Sequence, residues 1–320
     1  MKFILNYSNF VPFREGLESC GYTVYENLWK PSDKQLQDCE GCLIDMYEAM
    51  NRPWDTLRLK SRLRRRRIPL IGWNRDAPWN KGVKLRQLWW FRKLKVLDVY
   101  MAHSLQDAST FSPDARYLPN AAWVSRYNLA GRTLEELSDP QSYRYDVSFV
   151  GTLDAKKNPR FILRAEFFKE LERRLTAVGV TTWFRHGKKM PLREQIDLIQ
   201  RSRINLNFGA SSDNGAEKSW GLPGRCYGVP ACGGFLLSDE RVHAKDDFEP
   251  GLEWVDFSSM EDCVGKIRQY LTNFPQAREI AERAHERVFR EHAYEHRART
   301  MTATAREWKV RVERNIAQKR

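Results

Sequence analysis

Residues 218–239 contain a glycine-rich loop with a cation, a combination that could bind an anion. The segment reads KSWGLPGRCYGVPACGGFLLSD, with Lys218 at its start, Arg225 in the loop and Asp239 after an apolar run. A loop that leads into a helix presents free backbone N–H groups, which together with a fixed cation suit a phosphate or diphosphate. The alternative is an ordinary connection between a loop, a helix and a strand that carries a surface arginine.

A second candidate phosphate site follows residues 145–150, whose alternating pattern predicts a strand. Behind this strand come the small residues Gly151 and Thr152, and then Lys157 and Arg160 at the start of a strongly helical run. A strand that passes through a small-residue turn into a helix is compatible with a bound phosphate. The two cations close to the turn strengthen that interpretation.

Asp76 is the candidate catalytic carboxylate. It follows the predicted strand at residues 68–72, within the segment GWNRDAPW. Ligands of open parallel sheets bind at the carboxyl ends of the strands, so a functional carboxylate is expected at such a position. Asp76 could act there as a base or position an acceptor. The alternative interpretation is a turn residue or helix cap before Pro78.

These candidate residues must be positioned by alternating strands and helices. The pattern of strand, helix and strand occurs in both halves of the chain, which predicts parallel sheets with right-handed crossovers. A chain of 320 residues also exceeds what one hydrophobic core usually serves. We therefore predict an α/β fold of two Rossmann-like, doubly wound domains that face a cleft, over residues 1–142 and 143–293. We expect the C-terminal helices to pack back, with residues 294–320 crossing to the first domain.

Composition and charge restrict the class of protein. A formal net charge of +13 favours anionic partners such as nucleotide-sugars, nucleic acid, acidic glycans or anionic membrane surfaces. A hydrophobic content of 42% indicates a folded protein, and no apolar run is long enough to span a membrane. The six cysteines are scattered, which predicts a reduced, cytoplasmic protein. Neither Cys39-x-x-Cys42 nor the pair His292 and His296 has enough ligands, so we predict no metal site.

Residues 80–95, the basic aromatic segment, interleave cations with indoles. Such a segment can bind sugars by stacking, nucleic acid by stacking and phosphate pairing, or a membrane interface by peripheral contact. All three functions require exposed aromatic side chains. The favoured alternative is an amphipathic helix that buries Trp89, Trp90 and Leu94 against the sheet and leaves the cations in water.

The order of these motifs resembles the GT-B glycosyltransferases, and among them the CgeB-like group that includes spore-maturation protein B. The segment FVGTLDAKKN is similar to the family's donor motif, with Lys157 at the position of its lysine. Thr152 stands where the family often has arginine, so Arg160 or Arg225 is expected to replace that cation. Residues 221–239 are similar to the CgeB-type segment, but Gly228 stands where relatives carry a glutamate for the donor ribose. The segment GWNRDAPW resembles a further motif of this group.

The resemblance implies a metal-independent glycosyltransferase, retaining or inverting, that uses a nucleoside diphosphate sugar, for example a UDP-linked one. It implies no tightly bound cofactor, an acceptor-side domain over residues 1–142 and a donor domain over 143–293. The expected acceptor is a cell-envelope glycan or lipid-linked saccharide. The alternatives are transfer to a hydroxylated base of DNA and a non-catalytic module that binds nucleotide-sugar or nucleic acid. The predicted catalytic residue is Asp76, and the predicted donor-binding residues are Gly151, Thr152, Lys157, Arg160, His186, Lys218, Arg225, Gly228 and Asp239.

Overall fold

The computed structural model describes residues 1–75, 85–105, 108–153, 162–186, 190–209 and 221–318, with the backbone alone for Leu85 and His186. The chain divides into two compact units. The first comprises Met1–Pro119 together with Tyr294–Arg320, and the second comprises Asn120–Ala293. By packing, residues 120–142 therefore belong to the second unit, although the sequence pattern predicts them in the first domain.

The first unit is built on a six-stranded parallel sheet in the order β2-β1-β3-β4-β5-β6. Its strands are β1 (Lys2–Asn6), β2 (Thr23–Glu26), β3 (Cys39–Ile44), β4 (Leu70–Asn74), β5 (Val99–Ala102) and β6 (Ala115–Tyr117). Its helices in this part of the chain are α1 (Val11–Ser19), α2 (Asp33–Leu36), α3 (Met46–Asn51), α4 (Pro53–Arg65) and α5 (Leu85–Lys93). A short 3-10 turn lies at Ala108–Thr110.

The local sequence explains these elements. Every residue of β4 is buried, as expected for a parallel strand that is covered on both faces. Helix α1 is followed by Gly21, whose φ of 82° is the left-handed conformation that glycine adopts without a Cβ clash. Leu59 and Leu63 of α4 and Phe91 of α5 pack into the core cluster of this unit.

The second unit contains a five-stranded parallel sheet in the order β11-β10-β9-β7-β8. The strands are β7 (Tyr145–Gly151), β8 (Thr182–His186), β9 (Ser202–Asn207), β10 (Leu236–Asp239) and β11 (Val255–Phe257). The helices are α6 (Ile162–Thr176), α7 (Leu192–Gln200), α8 (Arg225–Ala231), α9 (Ala244–Asp247), α10 (Met260–Thr272) and α11 (Phe274–Glu291), with a 3-10 turn at Pro140–Ser142. Its core includes Phe149, Phe168, Ile204 and Ile267.

The last helix, α12 (Tyr294–Ala317), belongs to the first unit and contacts α1. A Cβ on Gly16 of α1 would lie 2.7 Å from the carbonyl oxygen of Tyr294, so only glycine permits this close approach. The predicted fold of two doubly wound parallel sheets, with a C-terminal helix packing back, is confirmed. Within the described ranges, no helix combines the length and apolar character that a membrane span requires.

Candidate functional site

The second sheet reverses its winding between β7 and β9. From β7 the chain crosses to β8 on one side, whereas β9, β10 and β11 follow one another on the other side. Strands β7 and β9 are parallel neighbours, with Val147 opposite Ile204. In open parallel sheets the crevice outside the carboxyl ends of the strands at such a reversal is where ligands bind. The ends of β7 and β9 are therefore the place to look for a site.

Arg225 joins the carboxyl ends of these two strands. It is the first residue of α8, and its Nη1 donates to Oδ1 of Asn207 (3.0 Å) at the end of β9. Its Nη2 donates to the backbone oxygen of Val150 (2.5 Å) in β7, and the guanidinium lies 4.6 Å from the ring centroid of Phe149. Burial lowers the pKa of Arg225. Arg225 is thus a fixed cation at the sheet reversal rather than a surface arginine.

Gly151 allows this arrangement. A Cβ at this position would lie 2.7 Å from Nη2 of Arg225 and 2.5 Å from Cζ of Phe149. Contacts that short do not occur for real Cβ atoms, so any larger residue would displace one of the two side chains. The small-residue turn predicted after β7 is therefore required by the position of Arg225.

Asp239 at the end of β10 forms a buried ion pair with Arg241. Both of its carboxylate oxygens accept from Nη2 of Arg241 at 2.9 Å, and the Arg241 side chain is fully buried. The carboxylate also accepts from Nδ2 of Asn207 (2.9 Å) and from the backbone N–H of Gly209 (2.9 Å). Since a carboxylate offers about four acceptor positions, Asp239 is occupied in holding its neighbours.

Arg164 of α6 brings a third guanidinium to the same place. Its Nε donates to the backbone oxygen of Phe208 (2.8 Å), Nη1 to that of Thr152 (3.4 Å) and Nη2 to that of Gly209. Burial, assisted by the positive charge of Arg225, lowers the pKa of Arg164 to about 10. The neighbouring cation therefore adds to the cost of keeping Arg164 charged.

These side chains define the arginine cluster, which consists of Arg164, Arg225 and Arg241 with the single carboxylate of Asp239. Among the described residues of the cluster, three positive charges face one negative charge. Charges removed from water are costly unless they are compensated, so an anionic group is favoured beside these guanidinium groups. The geometry therefore suits a group with a high negative charge, such as a diphosphate.

A cavity of about 790 Å³ lies beside the arginine cluster. Asp239 and Arg241 contribute to its lining, together with the rings of Phe167, Phe208 and Phe257. Phe167 and Phe208 are stacked, with ring centroids 3.7 Å apart and an interplanar angle of 9°. The volume falls in the range of small-molecule sites, and the lining combines apolar rings with a few charged groups, as such sites usually do.

Four of the predicted donor-binding residues meet at this site, namely Gly151, Thr152, Arg225 and Asp239. His186 lies opposite Gly151 in the pairing of β7 with β8, and only its backbone is described. Gly228 is buried in α8, and a Cβ there would contact the ring of Tyr127 at 3.9 Å. The predicted residues Asp76, Lys157, Arg160 and Lys218 lie outside the described residues.

The structure corrects one part of the anion-loop interpretation. The second and third backbone N–H groups of α8 are not free, because Cys226 donates to the backbone oxygen of Pro223 (2.8 Å) and Tyr227 donates to that of Gly224 (3.2 Å). The positive charge at this site comes from side chains, and sequence reasoning missed Arg164, Arg241 and Asn207. No motif marks any of these three residues, whose roles depend on partners that only the fold brings together.

In the first unit, the prediction for the basic aromatic segment was wrong in its orientation. Phe91 is fully buried and Leu88 nearly so, whereas Trp89 is 66% exposed and Leu94 is 56% exposed. Trp90 packs partly buried against the core. Helix α5 is amphipathic, but Leu88 and Phe91 form its core side instead of Trp89 and Leu94.

Within the described parts of the chain, no group of three or more His, Cys, Asp or Glu side chains is placed to hold a metal ion. His292 is buried, and its Nε2 lies 2.7 Å from the backbone oxygen of Asp247. All six cysteines are free thiols. Burial raises the pKa of Cys39 to about 11 and places that of Cys42 well above its ordinary value, so neither is a ready thiolate ligand.

A comparison with protein families identifies residues 157–303 as a match to the family described as "Glycosyl transferase-like". A comparison with curated protein sequences found no match. Among solved structures, the chain is similar to sucrose-phosphate synthase from Thermosynechococcus elongatus, with a TM-score of 0.62 and 10% identity over 96% of this chain and 99% of that chain.

Two further solved structures have the same likeness. HepE of Anabaena, in complex with UDP-glucose, gives a TM-score of 0.58 and 12% identity over 96% of this chain and 99% of that chain. An alpha-glucosyltransferase in complex with UDP and a 13-mer DNA containing an HMU base gives a TM-score of 0.53 and 12% identity. The match covers 90% of this chain and 94% of that chain. Likeness at such low identity establishes the fold. The chain therefore has the α/β fold of the GT-B glycosyltransferases, and its residues 157–303 are similar to the glycosyl transferase-like family.

Proposed function

We propose that the protein is a glycosyltransferase that moves a sugar from a nucleoside diphosphate sugar to an acceptor. The observation that carries this proposal is the arginine cluster at the reversal of the second sheet, within the segment that matches the glycosyl transferase-like family. HepE, which shares the fold, binds UDP-glucose. A UDP-linked sugar is therefore the first donor to test.

In this proposal the second unit binds the donor and compensates the charge of the leaving diphosphate. Arg225 and Arg164 are fixed before the ligand arrives, so they need not reorganise as negative charge develops on the leaving group. Lys157 and Arg160, which follow Gly151 and Thr152 in sequence, are proposed to complete the set of cations. The scheme uses side-chain cations alone and is metal-independent.

We also propose that the chain is a CgeB-like enzyme that recognises the donor ribose differently from its relatives. Gly228 offers no carboxylate, and a Cβ at this position would make an ordinary van der Waals contact with the ring of Tyr127 (3.9 Å). Tyr127 itself donates to Oε1 of Gln195 (3.0 Å). Asp239 is engaged with Arg241 and is a poor substitute, so the cavity lined by Phe167 and Phe208 is the proposed place of the nucleoside.

The proposed acceptor is a cell-envelope glycan or a lipid-linked saccharide. A hydroxylated base of DNA is the second candidate, because a glucosyltransferase of the same fold was solved with DNA and because the net charge is +13. Binding to DNA through phosphate contacts weakens steeply as salt rises. A steep salt dependence of duplex binding would therefore favour DNA, and its absence would favour the saccharide.

We further propose that the protein contacts an anionic membrane surface peripherally through α4 and α5. Trp54 is 74% exposed and Trp89 is 66% exposed. Leu94, the residue after α5, is 56% exposed. Exposed indoles beside cations suit the headgroup region of an anionic membrane, and an exposed leucine adds apolar area that nucleic acid would not use. The exposed cations on and beside these helices include Arg58, Arg64, Arg65, Arg86, Lys93 and Lys95. A cytoplasmic location remains part of this proposal.

A thermal-shift screen of nucleotides and nucleotide-sugars tests the donor assignment. A ligand at a hundred times its dissociation constant stabilises the folded state by about 2.7 kcal/mol. We expect UDP and UDP-sugars to raise the melting temperature, and glucose alone to leave it unchanged. Slow hydrolysis of the same donor without acceptor would separate an enzyme from a binding module. A screen in which no nucleotide changes the melting temperature would refute the proposal.

A further inference from the structure

The first sheet also reverses its winding, and an arginine lies at its carboxyl edge. In the order β2-β1-β3-β4-β5-β6, the reversal falls between β1 and β3. Arg75 follows β4 directly, and its guanidinium lies 5.2 Å from the ring centroid of Tyr7, which follows β1. The side chain thus reaches from the end of β4 to the end of β1. This is the edge at which ligands of doubly wound sheets bind.

The described residues that contact Arg75 are aromatic and neutral. The guanidinium lies 3.9 Å from the ring centroid of Phe10. Nε approaches the hydroxyl of Tyr7 at 3.4 Å, and Nη1 approaches the hydroxyl of Tyr294 at 3.5 Å. A guanidinium carries five N–H donors, and two long contacts to phenols satisfy few of them. Among the described residues no carboxylate is paired with Arg75.

The fold does not account for a cation in this position, whereas an anionic ligand does. A guanidinium that is partly removed from water without a counter-ion is costly, and an anion would offset that cost. Arg75 remains partly exposed, so a ligand can reach it. At the same edge, Asn6 at the end of β1 is fully buried and its Oδ1 has no hydrogen-bond partner. Because it is fully buried, this oxygen is an unsatisfied acceptor beneath the edge and is not itself a ligand contact.

We propose that Arg75 binds an anionic group, phosphate or carboxylate, of a saccharide acceptor. The inference rests on the proposed glycosyltransferase function and specifies its acceptor as a charged sugar rather than a neutral one. Arginine forms two parallel hydrogen bonds with either group, and the rings of Phe10 and Tyr7 hold the guanidinium in place for them. In the first unit Arg75 would then bind the acceptor, as Arg225 of the second unit would bind the donor.

The experiment measures binding of glucose 6-phosphate, glucuronate and glucose by isothermal titration. The wild-type protein is expected to bind one of the two charged sugars at least ten-fold more tightly than glucose, and the preferred one identifies the anionic group. Arg75→Gln is expected to remove that preference. Arg299→Gln, which removes an arginine of the same unit whose side chain is 67% exposed, is the matched control and should bind as the wild type does.

The Lys variant guards against a folding defect. Arg75→Lys keeps the charge but loses the paired donors, so we expect at least three-fold weaker binding of the preferred sugar even if Arg75→Gln does not fold. UDP binding, measured in parallel, should be unchanged in every folded variant because the donor residues belong to the other unit. Equal affinity of wild type and variants for the charged sugars, or no preference over glucose in the wild type, would overturn the inference. If the wild-type protein does not bind UDP, the proposed function itself is refuted.

Discussion

Individual residues at the donor-side site show what sequence can reveal about chemistry. Arg225 and Asp239 could be singled out because their types and their places after a loop and a strand are visible in the chain. Asn207, Arg164 and Arg241 could not be assigned, because their roles depend on partners brought together only by folding. Arg164, for example, donates to the backbone of Phe208, which is distant in sequence. Local patterns contain no information about such pairs.

Gly151 provides a test of this packing. We expect Gly151→Ala to lower the free energy of unfolding by about 1–3 kcal/mol, the usual range for overpacking, and to weaken UDP binding by displacing Arg225. Urea unfolding and titration with UDP measure the two effects. Gly265→Ala is the matched control, since a Cβ there meets no atom within 4 Å. Alanine in that helix should stabilise the protein by about 0.4–1 kcal/mol. If Gly151→Ala unfolds and binds UDP as the wild type does, a Cβ at this position does not displace Arg225.

Asp76 is tested by an isosteric change. In Asp76→Asn the side chain keeps its size and loses the carboxylate, so a base or an acceptor-positioning group would be removed without a change in volume. We expect transfer to be abolished while the affinity for the nucleotide, measured by titration, stays within two-fold of the wild type. Unchanged turnover would remove Asp76 from the mechanism.

Helix α5 shows where the prediction of whole elements succeeds and where it fails. The existence of the helix followed from its pattern, but the run of Leu88, Trp89, Trp90 and Phe91 offers apolar residues on several sides. Periodicity alone then does not determine which side is buried. In the structure, Nε2 of Gln87 donates to Oδ1 of Asn51 (2.9 Å) and links α5 to α3. In this orientation of α5, Phe91 is on the buried side. That tertiary contact is invisible in the local sequence.

The exposed side of α5 makes a separate prediction about membranes. We expect Trp89→Ala combined with Leu94→Ala to lower binding to vesicles of anionic lipid at least five-fold in a flotation assay. Because both side chains are exposed, the free energy of unfolding should change by less than about 0.5 kcal/mol. Phe91→Ala, which empties a buried position, should instead cost about 3–5 kcal/mol of stability. Vesicle binding by the double variant at the wild-type level would exclude this surface.

For the whole molecule, the fold class was predictable because the pattern of strand and helix recurs in both halves. The unit to which residues 120–142 belong was not predictable, because their hydrogen-bond partners are distant in sequence. The backbone N–H of Ala122 donates to His292 (2.8 Å), and the side chain of Gln200 donates to the backbone oxygen of Leu129 (2.9 Å). These bonds attach the segment to the second unit. The solved structures keep the same fold at 10–12% identity, so the fold tolerates replacement of most of its side chains.

We propose that the arginine cluster of the second unit binds the diphosphate of a nucleotide-sugar. Isothermal titration of UDP into the wild type, Arg225→Ala and Arg173→Ala tests it most directly. Arg173 lies on the same unit with its side chain 69% exposed and pairs with Glu170, so it serves as the matched control. We expect at least ten-fold weaker UDP binding for Arg225→Ala and wild-type UDP binding for Arg173→Ala. Equal UDP affinity in all three proteins, or no UDP binding by the wild type, would contradict it.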